Sequence, residues 1–203
     1  MEYKKIICPC CNKEVDIPID KDSESFDFNY SILLNSEEEF FNLVDLCPEC
    51  GYAMLFDNGI SDEMKEFVSS DIYLTNLNNT EIDEGLKKWV LLALLLEFDE
   101  NYTEAGIAYT KAYDYLELKG MELDERYIEK AASCFLSAAE EYTSFIDAFL
   151  AIDSLRRYGD MEGAKHFLDI TCDTFEGELV DKLSAKENMW IDLNVTDKRY
   201  LDI

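Results

Sequence analysis

The hydrophobic and polar positions divide the chain into a strand-like first part and a helical remainder. Apolar residues alternate with polar ones in Val15–Ile19 and, most regularly, in Phe26–Ile32, with a polar loop between them. A period of two is typical of a strand with one buried face. Two more strands are predicted on either side of a cysteine pair, over residues 43–46 and 52–56. Residues 1–57 are therefore predicted to be β-rich, and the turn at residues 57–59 ends this part.

After this turn the spacing of apolar residues becomes helical. Ser61 or Asp62 is expected to cap a helix that ends near Ser69. Thr80-x-x-Asp83 resembles a capping box, and it is expected to open the next helix. Helical spacing continues from there to about residue 175, and a short helix with a tail is predicted in residues 176–203.

A spacing of large and small residues recurs in the helical part. Each copy places a large residue, an alanine, another large residue and a small residue on one helical face. The copies are Tyr102/Ala105/Tyr109/Ala112, Ile128/Ala131/Phe135/Ala138 and, more weakly, Met161/Ala164/Leu168/Thr171. Alanine allows a neighbouring helix to approach closely, as in the stacked hairpins of tetratricopeptide repeats. Because the intervals are unequal, a degenerate array is favoured over a simple bundle, which stays open.

These patterns predict an α+β fold, in which a small N-terminal β-rich module precedes a mainly α-helical, tetratricopeptide-like hairpin array. The predicted divisions are a module over 1–57, a connecting helix and linker over 58–80, a helical-repeat domain over 81–176 and a C-terminal helix and tail over 177–203. Within the array, Arg157-Tyr158-Gly159-Asp160 is predicted to be a tight turn. Glycine would end one helix there, and aspartate would cap the next.

Charge narrows the classes of partner. The 203 residues carry a net charge of −27, which repels phosphate backbones and anionic lipid, so direct contact with nucleic acid or a membrane is not expected. The longest apolar run, Trp89–Leu96, is far shorter than the ~20 residues of a membrane helix. The N-terminus lacks the pattern of a signal peptide, and seven cysteines do not suit a disulfide framework. The expected location is the cytoplasm.

Four cysteines have the spacing of a metal site. Cys8 and Cys11 form one Cys-x-x-Cys turn, and Cys47 and Cys50 form a second, each with a proline inside it. Such turns bring two sulfurs to one side, and four thiolates complete a tetrahedral shell. The prediction is one structural zinc ion in a zinc ribbon. The alternatives are another metal centre, such as an iron–sulfur cluster, and a redox dithiol formed by Cys8 and Cys11.

The other cysteines have less specific interpretations. Cys10 is either a spare thiol near the site or a replacement for Cys8 or Cys11 as a ligand. Cys134 and Cys172 lie within helical periods and are predicted to be small buried hydrophobes.

No catalytic pattern is evident. His166 is the one histidine, which excludes mechanisms that need two, and it is predicted to be solvated. The acidic clusters at 37–39 and 122–125 are expected to be solvated faces, and no glycine loop for phosphate is present.

The combination of three motifs resembles an uncharacterised bacterial family catalogued as domain of unknown function 2225. The motifs are Cys8-Pro9-x-Cys11, Cys47-Pro48-Glu49-Cys50-Gly51-Tyr52-Ala53 and Arg156-Arg157-x-Gly159-Asp160-x-x-x-Ala164. Two departures are Asn12, where glycine often follows, and the additional Cys10. The resemblance covers roughly residues 6–170. It implies a zinc ribbon joined to tetratricopeptide-like helices, and it implies no activity.

The resulting functional prediction is a non-catalytic, zinc-binding scaffold whose helical groove binds a basic protein or peptide. Two alternatives belong to other classes. One is an acidic mimic that occupies a nucleic-acid-binding protein, and the other is a thiol-redox enzyme that uses Cys8 and Cys11.

Overall fold

The computed structural model describes residues 2–19, 44–54, 60–139 and 144–197. The predicted strand Phe26–Ile32 with the loop before it, the acidic run 37–39 and the turn 57–59 lie outside the described residues.

The described part of the chain is mostly helical, with a small β region at its N-terminal end. The strands are β1 (Glu2–Ile7), β2 (Glu14–Ile19), β3 (Asp45–Leu46) and β4 (Ala53–Met54). The helices are α1 (Asp62–Val68), α2 (Asp71–Leu77), α3 (Glu84–Phe98), α4 (Tyr102–Leu118), α5 (Glu125–Ala139), α6 (Phe145–Tyr158), α7 (Met161–Thr174) and α8 (Glu178–Asp192). No helix within these ranges has an apolar stretch long enough to cross a membrane. The chain divides into two compact units, Met1–Glu122 and Leu123–Ile203.

The first unit combines two short antiparallel sheets with α1–α4. Strand β1 pairs with β2, with Glu2 opposite Ile19 and Ile7 opposite Glu14. Strand β3 pairs with β4 through Asp45–Met54 and Leu46–Ala53. Helix α3 packs along α4, and α1, α2 and β4 all contact α3. The apolar face of α3 is fully buried, so this helix is the centre of the unit.

Helix starts in the first unit follow side-chain capping. Helix α1 begins as predicted, because the Ser61 hydroxyl accepts a hydrogen bond from Met64 N. The predicted capping box at Thr80 is wrong. Thr80 lies in a turn, and Asp83 caps α3 itself by accepting from Gly85 N at 2.8 Å. The same Asp83 oxygen accepts the Tyr115 hydroxyl at 2.6 Å, which links the start of α3 to α4.

The second unit stacks helices that are neighbours in sequence. Helix α5 packs on α6, α6 on α7 and α7 on α8, and α8 also contacts α6. Its apolar core comprises Phe149, Ile152, Ala164, Leu168, Val180, Leu183 and Ile191. The turn between α6 and α7 is confirmed: Gly159 has φ +94° and ends α6, and Asp160 accepts from Gly163 N at 2.8 Å.

The recurrent small-and-large spacing marks buried helix faces. Ala105, Tyr109 and Ala112 are buried on α4, and Ile128, Ala131 and Phe135 on α5. On α7 the buried residues are Ala164, Leu168 and Thr171. The remaining positions of the three copies, Tyr102 on α4, Ala138 on α5 and Met161 on α7, are half-buried.

A buried arginine ties the end of the second unit to α6. The Arg156 guanidinium is fully buried and lies 5.2 Å from the Trp190 ring. Its Nε donates to Glu187 at 3.1 Å, Nη1 donates to the carbonyls of Val195 and Asp197 at 2.7 and 3.0 Å, and Nη2 donates to Asp153. We call Arg156, Asp153 and Glu187, with these two carbonyls, the Arg156 hub. It holds the chain after α8 against the helices.

Candidate metal centre

The two cysteine turns have the same backbone hydrogen bonds. In the first turn, residues 8–12, Asn12 N donates to Cys8 O at 2.8 Å. In the second turn, residues 47–51, Gly51 N donates to Cys47 O at 2.8 Å. Cys8 N and Cys47 N each donate, at 2.9 Å, to the carbonyl five residues later. Each turn therefore presents its two sulfurs on one side.

A left-handed residue follows the second cysteine of each turn. Gly51 has φ +74° and Asn12 has φ +58°. Glycine adopts this conformation without strain, and asparagine tolerates it better than most other residues. The departure from glycine at Asn12 therefore leaves the turn geometry intact. At Gly51 space is also limiting, because a Cβ there would lie 2.3 Å from Leu77 Cδ2 of α2.

The four sulfur atoms converge. The Sγ atoms of Cys8, Cys11, Cys47 and Cys50 all lie within 4.8 Å of one another. Cys8 Sγ is 3.7 Å from Cys50 Sγ, and Cys11 Sγ is 3.8 Å from Cys47 Sγ. A tetrahedron with zinc–sulfur bonds of about 2.3 Å has edges of about 3.8 Å, whereas a disulfide bond is about 2.0 Å long. All four thiols are free, so the arrangement can hold a single metal ion.

Burial raises the pKa of two of these thiols. It raises the pKa of Cys8 to about 11 and also raises the pKa of Cys50. Burial acts in the same direction on Cys11, but hydrogen bonds from Lys13 N–H and the neighbouring thiols outweigh it and lower the pKa of Cys11. A cation that binds all four sulfurs must displace their protons, so its affinity decreases as the pH is lowered.

A tyrosine of α2 fixes the second turn to the helices. The Tyr73 hydroxyl donates to Gly51 O and accepts from Ala53 N, both at 3.0 Å, and its side chain is fully buried. Burial raises the pKa of Tyr73, so the hydroxyl keeps its proton. Sequence reasoning missed this residue, because a tyrosine in a short helix carries no metal-site pattern. Its one signal is that a buried phenol needs polar partners.

Two ion pairs supplement this contact. Lys13 of the first turn pairs with Glu49 of the second, where both side chains are exposed. Lys88 Nζ of α3 lies 3.1 Å from Asp45 of β3, in a half-buried position. The first pair joins the two turns directly and the second joins the sheet to α3. The exposed Lys13–Glu49 pair contributes little to stability, whereas the half-buried Lys88–Asp45 pair is less screened by solvent.

The remaining cysteines and the histidine do not belong to the group of four converging sulfurs. Cys10 is half-buried beside the site. Cys134 is buried, as expected, but the prediction for Cys172 is wrong: its side chain is exposed and contacts Ser184 Oγ at 3.1 Å. The reason is helical phase, because the preceding Thr171 occupies the buried position on α7. His166 is exposed, as predicted.

The acidic residues near the start of α5 do not form a carboxylate pair. Glu122 and Glu125 are exposed, and Asp124 is ion-paired with Arg126 at 2.6 Å.

No family model, curated protein or solved structure matches the chain. The resemblance to the uncharacterised bacterial family stays a prediction.

Proposed function

We propose that this protein is a non-catalytic scaffold that binds one structural zinc ion and holds a basic protein or peptide on its helices. The observation that carries the zinc assignment is the pair of sulfur–sulfur distances, 3.7 and 3.8 Å, which match the edges of a zinc tetrathiolate. Four sulfurs fill a tetrahedral shell. No position remains for water or substrate, which favours a structural role.

The helical part supports a binding role. Within the second unit each helix packs on the next in sequence, and Ala131 and Ala164 of the recurrent spacing are fully buried. This order is that of stacked helical hairpins, so we extend the proposal to a degenerate tetratricopeptide-like array. Such arrays bind extended peptides in their grooves. The resemblance to the family with a zinc ribbon and similar helices supports the same architecture.

The net negative charge of the chain favours a basic partner. A net charge of −27 attracts a basic polypeptide and repels nucleic acid and anionic lipid. Free thiols and a zinc tetrathiolate persist in a reducing compartment, so the proposed location is the cytoplasm.

Metal analysis tests the zinc assignment. Protein purified without added metal should contain one zinc per chain and no visible absorbance. One iron per chain, with the absorbance of an iron–thiolate centre, would refute zinc while preserving a metal-binding role. Absence of any metal from protein kept reduced throughout would refute both.

Peptide binding tests the partner class. A fluorescent Lys/Arg-rich peptide should bind at about 50 mM salt and lose roughly tenfold in affinity by about 300 mM, whereas its Glu-substituted counterpart should not bind.

Two variants, each with three acidic side chains neutralised, locate the binding surface. One set is Glu63→Gln, Glu66→Gln and Asp71→Asn in the first unit, and the other is Glu162→Gln, Asp169→Asn and Asp173→Asn in the second. A specific site predicts that the second set weakens binding by more than the first. Equal effects would indicate attraction by net charge alone and would refute a specific peptide site on the second unit.

A further inference from the structure

An open groove lies between α7 and α8 of the second unit. It has a volume of about 460 Å³, and its lining residues are Met161, Glu162, Lys165, His166, Asp169 and Ile191. Met161 is half-buried and Ile191 is buried, so these two apolar residues form the inner part of the lining. Glu162 and Asp169 are exposed, so their carboxylates stand at its edge. A partner side chain in this groove therefore meets an apolar surface and a negative rim.

The position of Lys165 leaves one of these carboxylates unpaired. Lys165 Nζ lies 3.3 Å from Asp169, and it also donates to Asn188 of α8. Glu162 is three residues before Lys165, a spacing at which an ion pair can form along a helix. In the part of the chain that the structure describes, however, the Glu162 side chain has neither a hydrogen bond nor an ion pair. An unpaired carboxylate is thus placed beside an apolar surface.

A long basic side chain is complementary to this surface in both shape and charge. Its aliphatic stem can cover Met161 and Ile191 while its charged end reaches the carboxylate of Glu162. Arginine is favoured over lysine, because a planar guanidinium can donate two parallel hydrogen bonds to one carboxylate.

We propose that the groove between α7 and α8 binds an arginine side chain of a basic partner, with the guanidinium on Glu162 and the stem on Met161 and Ile191. This inference rests on the proposed function, because it identifies the point at which the basic peptide is held.

The spacing of the two rim carboxylates defines a second position in the partner. Asp169 follows Glu162 by seven residues, so the two lie on one face of α7, about 10.5 Å apart along the helix axis. In a polyproline II peptide, side chains three residues apart share one side and are separated by about 9.3 Å. The partner motif is therefore Arg-x-x-Arg. The second arginine shares Asp169 with Lys165, whose exposed ion pair is weak.

Fluorescence anisotropy of two labelled peptides with the full-length chain tests the motif. One peptide contains Arg-Ala-Ala-Arg and the other Arg-Arg-Ala-Ala, with identical flanking residues, so their composition and charge are equal. At about 50 mM salt the wild type should bind the first peptide about fivefold more tightly than the second.

Two matched variants test the role of Glu162. Glu162→Gln should lower the affinity for the first peptide about tenfold and remove most of the preference for it. Glu178→Gln makes the same change in the first turn of α8, outside the groove, and should alter the affinity by less than about twofold.

The outcomes separate the groove from the proposed function. If neither peptide binds, the basic partner is refuted and this inference fails with it. If both peptides bind the wild type equally, or if Glu162→Gln and Glu178→Gln weaken binding equally, the groove is refuted and the basic-partner proposal stands. If Glu162→Gln does not fold, the comparison of the two peptides on the wild type still decides.

Discussion

The cysteine turns and the Arg156 hub solve the same problem in different ways. Both bring together chain segments that are distant in sequence, and both use buried polar groups. Around the second turn the strands are two residues long, so backbone pairing there is minimal, and the four sulfurs lie where the two turns meet. Around the hub, an apolar core from α6, α7 and α8 already exists, and the guanidinium joins the C-terminal chain to it. The sulfurs of the first region can close around a metal ion, whereas the second region is joined by its own side chains.

The largest expected effect is loss of the metal junction. Cys47→Ser removes a fully buried ligand, and structural zinc contributes on the order of 10 kcal/mol to small zinc modules. The variant should lose its metal, and amides of residues 44–54 should exchange freely, while α5–α8 keep their protection. Metal analysis and hydrogen exchange measure both effects, and wild type treated with a strong chelator should reproduce them. Equal loss of protection in α5–α8 would contradict the comparison.

The next effect comes from the hub. Arg156→Met keeps the volume but leaves Asp153 and Glu187 without their cation, at a cost of about 3–5 kcal/mol. Hydrogen exchange of α8 should accelerate accordingly, and the metal content should not change. Arg126→Met is the control, because that side chain is 82% exposed and its ion pair with Asp124 is worth under about 1 kcal/mol. Metal loss from Arg156→Met would show that the two regions are coupled.

The hub also predicts a dependence on pH. One guanidinium faces two carboxylates, and burial, followed by the charge of Asp153, raises the pKa of Glu187 to about 8. The folded state therefore binds a proton that the unfolded state releases near pH 4.5. The free energy of unfolding is therefore highest below pH 4.5. It decreases by roughly 2–4 kcal/mol as the pH rises toward 8, because Glu187 then loses its proton in the folded state. Glu187→Gln should flatten this slope in α8 exchange rates. Glu178→Gln, an exposed change on the same helix, should leave it unaltered, and an equal slope in both variants would assign it to another group.

A smaller effect is expected where the turns meet α2. Tyr73→Phe removes the hydroxyl that donates to Gly51 O and accepts from Ala53 N, at a cost of about 1–3 kcal/mol. The chelator should extract metal from this variant several times faster than from wild type. Tyr158→Phe on α6, where the side chain is partly exposed, is the control. An unchanged extraction rate would show that the sulfurs alone hold the second turn.

The smallest effect concerns the first turn. Asn12 has φ +58°, so Asn12→Gly should stabilise the turn or leave it unchanged, and Asn12→Ala should destabilise it by about 1 kcal/mol. Extraction of metal by the chelator ranks the three proteins. A faster loss from Asn12→Gly than from Asn12→Ala would contradict the assignment of the effect to the left-handed backbone at this position.

Sequence patterns predicted local features well. Short-range spacing was enough to predict three features: the four converging cysteines, the Gly159–Asp160 turn and the helix faces that carry the recurrent alanines. Such spacing reflects the helix period and the residue preferences of turns. The start of α3 was predicted three residues too early: Asp83, not Thr80, is the capping residue, through a local hydrogen bond from Gly85 N. The burial of Cys172 was predicted wrongly because a shift of one residue along a helix moves a side chain from the buried face to the exposed face, and Thr171 holds the buried position.

Contacts between residues that are distant in the sequence could not be predicted from local sequence patterns. Nothing near Tyr73 indicates that its hydroxyl meets Gly51, and nothing near Arg156 indicates that it holds the carbonyls of Val195 and Asp197. Both residues satisfy backbone groups from elsewhere in the chain, and such partners are known only once the fold is known.

The contact between Tyr73 and the second turn also sets an order during synthesis. All four cysteine ligands leave the ribosome before α2, because Cys50 precedes Tyr73 and Leu77 in the chain. At about 5–20 residues per second, the nascent turns wait seconds for the helix that covers them. During this interval a metal ion and the reductants of the cell have access to sulfurs that the finished helices later cover.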